Sequence, residues 1–426
     1  MSIAFVGLII VSIFSFFQDR KLVLPNRLFI FPIALFFSFA ISLCYTNDFT
    51  KGLDVLGSRI EFLVIPFIFL VNQPLIKEKF QDYIQLLIGT TTIAALITFI
   101  FFLLPAELSQ NIATSIPLLK DYVVHEKELA FGVYSPFTER LQFSYLIGVA
   151  IFLQLWVVFK WYTVDGTRLT VGKKINFNFK AVLKLFILVG VLLILGARGA
   201  QLSFLAASIV WVIGGYFYLI HPKLSEKVNA LFAYAVLILG LVVCLTIIPF
   251  LAYQKIPAVK VRYDQMRWEI GTFQDGTFGN YEYTHFTSIR RLLSWKNSWA
   301  IIQENPILGV GIGDYQAAMK AEYAKDDLGF PVNTQSQFLY YWTASGILSL
   351  GIFLSCLSYS CFVFFRQKDD WFKLLGTSFL VFYSLLFLFD APLNFQVGAM
   401  TFLTVYCLLI SKINQQPSHL INSLSS

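Results

Sequence analysis

The segment LLILGARGAQLSFLAA, residues 192–207, contains two apolar runs that are separated only by small residues and one arginine. A guanidinium is charged at any ordinary pH, and placing it near hydrocarbon costs several kcal/mol. Apolar runs of about 17 to 25 residues, long enough to cross a bilayer, recur on both sides of this segment. The segment therefore predicts two membrane-spanning helices that are joined by a tight turn at Arg198.

The composition is typical of a membrane protein. Of 426 residues, 57% are hydrophobic and only 13% are charged, about half of the charged share of a soluble protein, and the mean hydropathy is +0.69. We predict an all-α fold, a polytopic helical bundle with about eleven spans, or twelve as the alternative, in which residues 1–426 form a single transmembrane domain. The eleven spans are predicted near 2–17, 27–45, 59–76, 81–104, 141–160, 180–196, 200–220, 229–250, 336–364, 371–389 and 395–411.

The distribution of Lys and Arg predicts the orientation. The loop KWYTVDGTRLTVGKKINFNFK, residues 160–180, carries five basic residues and is expected on the cytoplasmic side. The N-terminus and Arg198 then lie on the outer face, and the C-terminus lies inside. The net charge of +7 thus indicates topology and predicts no nucleic-acid partner.

Two long segments share the predicted outer face. The smaller is 105–140. The larger is 253–335, which lies between the spans near 229–250 and 336–364 and is expected to carry short helices. Because unusual polar groups collect in these segments, we expect the chemistry at this face.

The larger segment contains TSIRRLLSWKNSWAIIQENPILGVGIGDY, residues 287–315. Ser288 is expected to cap a helix and Asn305-Pro306 to end it. An apolar face is predicted at Leu292, Trp295, Trp299 and Ile302. A surface helix with merely solvated arginines fits the same pattern. GVGIGD, residues 309–314, follows a helix and not a strand, so it predicts a tight, close-approaching turn and no nucleotide site.

Few polar groups are candidates for chemistry. Arg198 and Arg291 together suit a diphosphate, because planar guanidinium groups match phosphate oxygens. Asp390 ends the apolar run FLVFYSLLFLFD at the outer face, where it is either a site residue or a cap. His285 lies in the larger loop, where a lone histidine is more often structural. The five cysteines have no metal-ligand spacing, and no motif predicts a metal or nucleotide.

Four motifs in order resemble the O-antigen ligase and O-antigen polymerase superfamily of membrane glycosyltransferases. They are GARGA at 196–200, RLLSW at 291–295, ENPILGVG at 304–311 and SGILSLGIF at 345–353. The resemblance extends over about residues 140–411.

The resemblance implies an enzyme of the bacterial inner membrane whose active site faces the periplasm, and which needs no cofactor or metal. It implies a donor glycan on undecaprenyl diphosphate, held by Arg198 and Arg291, and a glycan or lipid A core acceptor. Arg290, Trp295, Gly309, Gly311 and Gln335 are assigned to a substrate loop. Membrane lipid and a chain-length regulator protein are the other expected partners.

One departure concerns the expected base. The ligase pattern has His-Asn near the end of the loop, and this sequence has Gln335-Ser336 there. A glutamine cannot accept a proton at neutral pH, so Asp390 is the next candidate and His285 a weaker one. We therefore predict a polysaccharide polymerase of O-antigen, capsule or exopolysaccharide. A ligase is the second hypothesis, and a glycolipid transporter is a distant third.

Overall fold

The computed structural model describes residues 27–104, 138–164, 179–215, 257–279, 287–329 and 331–413, together with positions 112, 115 and 254. Within these ranges the regular secondary structure is helical and includes no strand, which confirms the predicted all-α class. The α-helices are α1 (Ile30–Ser42), α2 (Phe49–Gly57), α3 (Glu61–Val71), α4 (Gln73–Glu78), α5 (Phe80–Leu103), α6 (Arg140–Val164), α7 (Phe179–Ile194), α8 (Arg198–Gly215), α9 (Pro257–Asp275), α10 (Thr287–Glu304), α11 (Tyr315–Lys325), α12 (Gln337–Phe365), α13 (Asp370–Phe389) and α14 (Gln396–Lys412). Short 3-10 turns lie at Arg27–Phe29, Leu43–Tyr45 and Pro392–Asn394.

Five helical segments in the described part of the chain are long and apolar enough to cross a membrane. They are Arg27–Tyr45, Phe80–Leu103, Arg140–Lys160, Gln337–Phe365 and Asp370–Phe389. Each agrees with a predicted span to within one residue at either end. The predicted membrane protein is thereby supported at these five positions.

The other six predicted spans correspond to three further helices, to one divided helix, and to residues outside the described ranges. The spans at 180–196 and 200–220 fall on α7 and α8, and the span at 395–411 falls on α14, a shorter apolar helix. The span at 59–76 is divided at Asn72 into α3 and α4. The spans at 2–17 and 229–250 lie outside the described residues, as does most of the 105–140 loop. The total of about eleven spans therefore stays a prediction.

Helix α13 lies at the centre of the bundle and packs against α6, α8 and α12. Phe387, near its end, is fully buried. Its ring centroid lies 5.1 Å from that of Phe353 in α12 and 5.5 Å from that of Phe402 in α14. Such edge-to-face aromatic pairs add to the burial of their apolar area. The last turn of α13, and Asp390 after it, are therefore held in a fixed position.

Helices α9, α10 and α11 form a unit that is built from the long polar segment. α10 ends at Glu304, directly before Asn305-Pro306, as predicted. It begins at Thr287, so Ser288 lies inside the helix, and the expected cap at Ser288 is wrong. The buried carboxylate of Glu269 in α9 accepts the Ser288 backbone N–H at 2.6 Å instead. A carboxylate from another helix thus stabilises the N-terminus of α10.

The predicted apolar face of α10 is wrong at three of its four residues. Trp299 is 47% exposed, Leu292 and Trp295 are only partly buried, and Ile302 alone of the four is buried as predicted. The other buried residues lie on nearly the opposite side: Ile289, Leu293, Ser294, Asn297, Ser298 and Ile301. The small polar residues Ser294 and Ser298 on that side form hydrogen bonds with the segment before α12.

A buried hydroxyl cluster joins α10 to α11 and to the segment before α12. The Tyr315 hydroxyl accepts the Thr334 backbone N–H at 2.7 Å and donates to Thr334 Oγ1 at 2.8 Å. Thr334 Oγ1 lies 2.5 Å from Ser298 Oγ. Burial raises the pKa of Tyr315, so its hydroxyl stays neutral. Because these hydroxyl groups are paired with one another, the cluster holds α10 against α11 and the segment before α12.

The segment after α10 inserts its backbone into a break in α12. Gly346 has φ +73° and interrupts the helix. Val310 N–H donates to the Thr343 carbonyl at 2.9 Å, and Ile347 N–H donates to the Ile307 carbonyl at 3.0 Å. The break frees these groups of α12, and the loop satisfies them. The motifs ENPILGVG and SGILSLGIF are therefore two sides of one contact.

Candidate functional site

Some of the predicted site residues lie at the end of α13. Arg291, in the second turn of α10, donates its Nε–H to the carbonyl oxygen of Phe389 at 3.0 Å. The last carbonyl groups of a helix have no partner within the helix and carry partial negative charge, so a guanidinium is favoured there. Within the described ranges, no hydrogen bond or ion pair to the protein engages the two Nη groups of Arg291. They can bind an anion from outside.

The turn that contains Arg198 reaches the same end of α13. Gly196 has φ +64° and reverses the chain between α7 and α8. Gln201 donates its side-chain amide to the carbonyls of Leu192 and Leu193, at 3.2 and 3.0 Å, and so closes the end of α7. A Cβ built on Gly199 lies 3.6 Å from the Cβ of Phe389. The residue after Arg198 thus contacts the residue whose carbonyl binds Arg291.

Asp390 directly follows Phe389 and is held by two hydrogen bonds. The Tyr145 hydroxyl of α6 donates to Asp390 Oδ2, and the Ala391 N–H donates to Oδ1 at 2.8 Å. The 3-10 turn that follows has no side-chain cap, so capping does not account for Asp390. An ionised carboxylate has about four acceptor positions. Asp390 therefore keeps acceptor capacity beyond these two bonds.

Gln335 and Trp295 border this site. The Trp295 indole Nε1 donates to the Gln335 carbonyl at 2.9 Å, and the Gln335 N–H donates to Ser294 Oγ at 3.2 Å. The Trp295 ring centroid lies 6.5 Å from that of Phe389. The backbone of Gln335 is thus fixed on both sides, and its half-buried side chain lies where the ligase pattern has histidine.

Other predicted site residues are not brought into this group. Gly309 and Gly311 follow the far end of α10, about 20 Å from Arg291 at a rise of 1.5 Å per residue. Their φ angles of +69° and +88° confirm the predicted tight turn. A Cβ on Gly309 would lie 2.5 Å from the Thr343 carbonyl oxygen, so the glycine is needed for close packing. Their place in a substrate loop stays a prediction.

Two further predicted site residues, Arg290 and His285, lie before Arg291 in the sequence. Arg290 is half-buried, and its buried Nε has no hydrogen-bond partner among the residues that the structure describes. His285 lies in 280–286, outside the described residues.

In the described part of the chain, no three His, Cys, Asp or Glu side chains form a group that could hold a metal ion.

Arg59 was missed by sequence reasoning. It is only 4% exposed, and its guanidinium donates to the Leu393 carbonyl, to the Tyr340 hydroxyl at 3.1 Å and to Asn394 Oδ1 at 2.9 Å. It therefore holds the link after Asp390 in place. The signal was present in the sequence, since SRIEF (58–62) places a basic residue directly before an apolar run.

A cleft of about 660 Å³ lies at the other end of α10 from the arginines. Its lining includes Tyr45, Asn47, Asp314 and the loop from Asn305 to Val310. Asp314 accepts the backbone N–H groups of Asn47 and Asp48 at 2.6 and 2.9 Å. These bonds tie the loop to the end of the first described span. The cleft is therefore distinct from the group around Phe389.

Part of the chain is similar to a known protein family. Residues 183–354 match the model of the family described as Wzy_C, O-antigen ligase. The match covers Arg198, Arg291, Gln335 and the break at Gly346, and it confirms the resemblance to the O-antigen ligase and O-antigen polymerase superfamily. Members of this family are glycosyltransferase-like enzymes with lipid-linked glycan substrates. No curated protein matches the chain significantly.

Proposed function

We propose that this chain is a polysaccharide polymerase. Its residues 183–354 match the O-antigen ligase family, which supports the resemblance to the O-antigen ligase and O-antigen polymerase superfamily. It transfers a glycan from undecaprenyl diphosphate to the acceptor hydroxyl of another lipid-linked repeat unit, at the periplasmic face of the inner membrane. The observation that carries the proposal is the convergence of Arg291, the Arg198 turn and Asp390 on Phe389.

The arginines bind the diphosphate of the carrier. Arg291 uses Nε to hold the Phe389 carbonyl, which fixes the plane of the guanidinium and leaves both Nη groups to bind the diphosphate. Arg198 begins α8, where backbone N–H groups also favour an anion. Positive charge that is fixed before the reaction stabilises negative charge as it develops on the leaving group. The reaction then needs no metal ion or nucleotide.

Asp390 accepts the proton of the acceptor hydroxyl. The hydroxyl oxygen forms a bond to the anomeric carbon of the donor, and the bond from that carbon to the phosphate oxygen breaks. The electron pair of the broken bond leaves with the lipid diphosphate. Tyr145 and the Ala391 N–H hold the carboxylate by hydrogen bonds, which orients it for this role. His285 remains the weaker alternative base.

A ligase is the second candidate, favoured by the description of the matching family as O-antigen ligase. It would transfer the finished glycan to lipid A core or to a protein. Gln335 argues against a ligase, because the amide cannot act as a base.

The proposed polymerase requires lipid-linked repeat units as both donor and acceptor. A chain-length regulator protein is its expected partner.

The proposal is tested by the glycan ladder of a deletion strain. The strain is complemented with wild type, Arg198→Ala, Arg291→Ala, Gln335→His and Lys296→Ala. Lys296 lies on the same helix as Arg291 but pairs with Asp326 at the surface, so it is the matched control. Collapse to single repeat units, rescued by wild type and by the control, supports a polymerase.

Two other results contradict the proposal. Full-length glycan that accumulates on its lipid carrier in the deletion strain indicates a ligase. Ladders of normal length in both arginine variants exclude the proposed diphosphate site.

A further inference from the structure

The loop that docks at the break in α12 has an apolar tip. Ile307 is 70% exposed and Leu308 is 56% exposed. Beside them on α12, Ile347 is 49% exposed and Leu348 is 51% exposed. The stretch 306–310 contains no charged residue. Four large aliphatic side chains thus form one exposed surface, made of a loop and a candidate membrane span.

The backbone carbonyls of this tip are paired within the protein. The Pro306 carbonyl accepts the Trp342 indole N–H at 2.8 Å, and the Ile307 carbonyl accepts the Ile347 N–H at 3.0 Å. The Leu308 carbonyl accepts the Tyr45 hydroxyl at 2.7 Å. An irregular loop in water needs no such pairing, because water hydrates its carbonyls. Hydrocarbon cannot do so, and irregular backbone is tolerated there only if the protein satisfies it.

The position of the break agrees with the edge of a bilayer. Helix α12 ends at Phe365, and the charged Arg366 follows it. The hydrocarbon core takes about 20 helical residues, and counting that number back from Phe365 ends at Gly346. Residues 337–345, with the polar side chains of Gln337 and Thr343, then lie outside the hydrocarbon. The loop tip lies at its boundary.

Two tryptophans are placed as interfacial residues would be. Trp299 of α10 and Trp342 of α12 contact each other edge to face, with ring centroids 5.7 Å apart. Trp299 is largely exposed, and Trp342 lies just before the break. Tryptophan is enriched where the headgroups of a bilayer meet its hydrocarbon.

From these observations we propose that the tip of the loop, Pro306 to Gly309, inserts into the edge of the lipid hydrocarbon and anchors α10 to the membrane. Its partner is the acyl chains of bilayer lipids. The anchor holds the end of α10 that is about 20 Å from Arg291, and so sets the height at which Arg291 meets Phe389. The inference is independent of the reaction that is catalysed.

The test uses the full-length protein in liposomes, with the photoreactive residue p-benzoylphenylalanine at one position at a time. Ile307 is the test position, and its exposed side chain can be replaced without disturbing the core. Leu354, exposed near the middle of residues 346–365 on the same candidate span, is the reference inside the bilayer. Lys320, exposed on α11 of the same unit, is the control outside it. After irradiation, adducts are identified by mass spectrometry with lipids of known mass.

Lipid adducts at 307 and 354, with none above background at 320, are the expected result. Lipid adducts at 354 and none at 307 would overturn the proposal, because the tip would then lie in water. Crosslinks from 307 to a second copy of the chain would also overturn it, since the surface would then be a protein interface.

Discussion

Arg291 donates its Nε–H to the carbonyl oxygen of Phe389 at 3.0 Å, and Asp390 is the next residue in the chain. A cation from helix α10, in the long polar segment, is thus joined to the end of the central helix α13. The same carbonyl-bearing residue contacts Gly199, which follows Arg198. One helix end therefore positions both predicted anion-binding residues and the predicted base.

Arg291→Lys is expected to abolish polymer formation although the charge is retained. A lysine ammonium has no planar fork, so it cannot bind the Phe389 carbonyl and a phosphate in the same fixed geometry. Loss of one preorganised group that stabilises a developing anion lowers kcat by about 100- to 1,000-fold. The measurement is the turnover of lipid-linked repeat units by purified protein.

Lys296→Ala is the control for this variant. It removes an exposed ion pair with Asp326, and such pairs contribute about 0–1 kcal/mol. Its turnover should equal that of wild type. Wild-type turnover in Arg291→Lys itself would show that charge alone suffices, and that the proposed geometry has no role.

Asp390→Asn is expected to lower turnover without unfolding the protein. The amide has the size of the carboxylate and can still accept hydrogen bonds through its oxygen, but it cannot take up a proton. Loss of general base catalysis lowers the rate by about 100- to 10,000-fold. Binding of the lipid-linked donor, measured separately, should be retained. An active Asp390→Asn variant would direct the search for the base to His285.

The sequence predicted local features well. Five candidate membrane spans were placed to within one residue, because a long apolar run has few alternatives to a membrane helix. The end of α10 before Asn305-Pro306 and the glycine turn at 309–313 follow from local backbone restrictions. Each of these predictions depends only on neighbouring residues.

Contacts between distant residues were not predicted. Arg59 and Asn394 are 335 positions apart, and Tyr145 and Asp390 are 245 positions apart. No periodicity in a single sequence encodes such pairs. The wrong apolar face of α10 has a related cause, because the tryptophan side and the serine side are both suited to burial. The sequence does not say which side meets protein and which meets the membrane surface.

Tyr315→Phe is expected to destabilise the unit of α10 and α11. The variant leaves the buried Thr334 N–H without its acceptor at 2.7 Å. An unpaired buried polar group costs about 1–3 kcal/mol. The free energy of unfolding should fall by that amount in a thermal or denaturant experiment on purified protein. Tyr83→Phe is the control, since Tyr83 is 37% exposed and its hydroxyl has no hydrogen bond in the described part of the chain. Equal stability of both variants would contradict the proposed role of the hydroxyl cluster.

Gly346→Ala is expected to disrupt the contact between the loop and α12. Gly346 has φ +73°, where an alanine is strained by about 1–3 kcal/mol. The added Cβ would also lie 2.0 Å from the Ile307 carbonyl oxygen, so the loop must move away. Because the same loop ends α10, its displacement should lower turnover through Arg291 even though every site residue is present.

Gly351→Ala is the matched control, since it lies five residues further along the same helix and a Cβ there meets nothing within 4 Å. Alanine has the better helix propensity by about 1 kcal/mol, so this variant should be as stable as wild type or more stable. The two variants are compared by thermal unfolding and by turnover in liposomes. A loss of both properties in Gly346→Ala alone is the expected result. Unchanged stability in Gly346→Ala would mean that the break in α12 does not need glycine, and that the loop is held by other contacts.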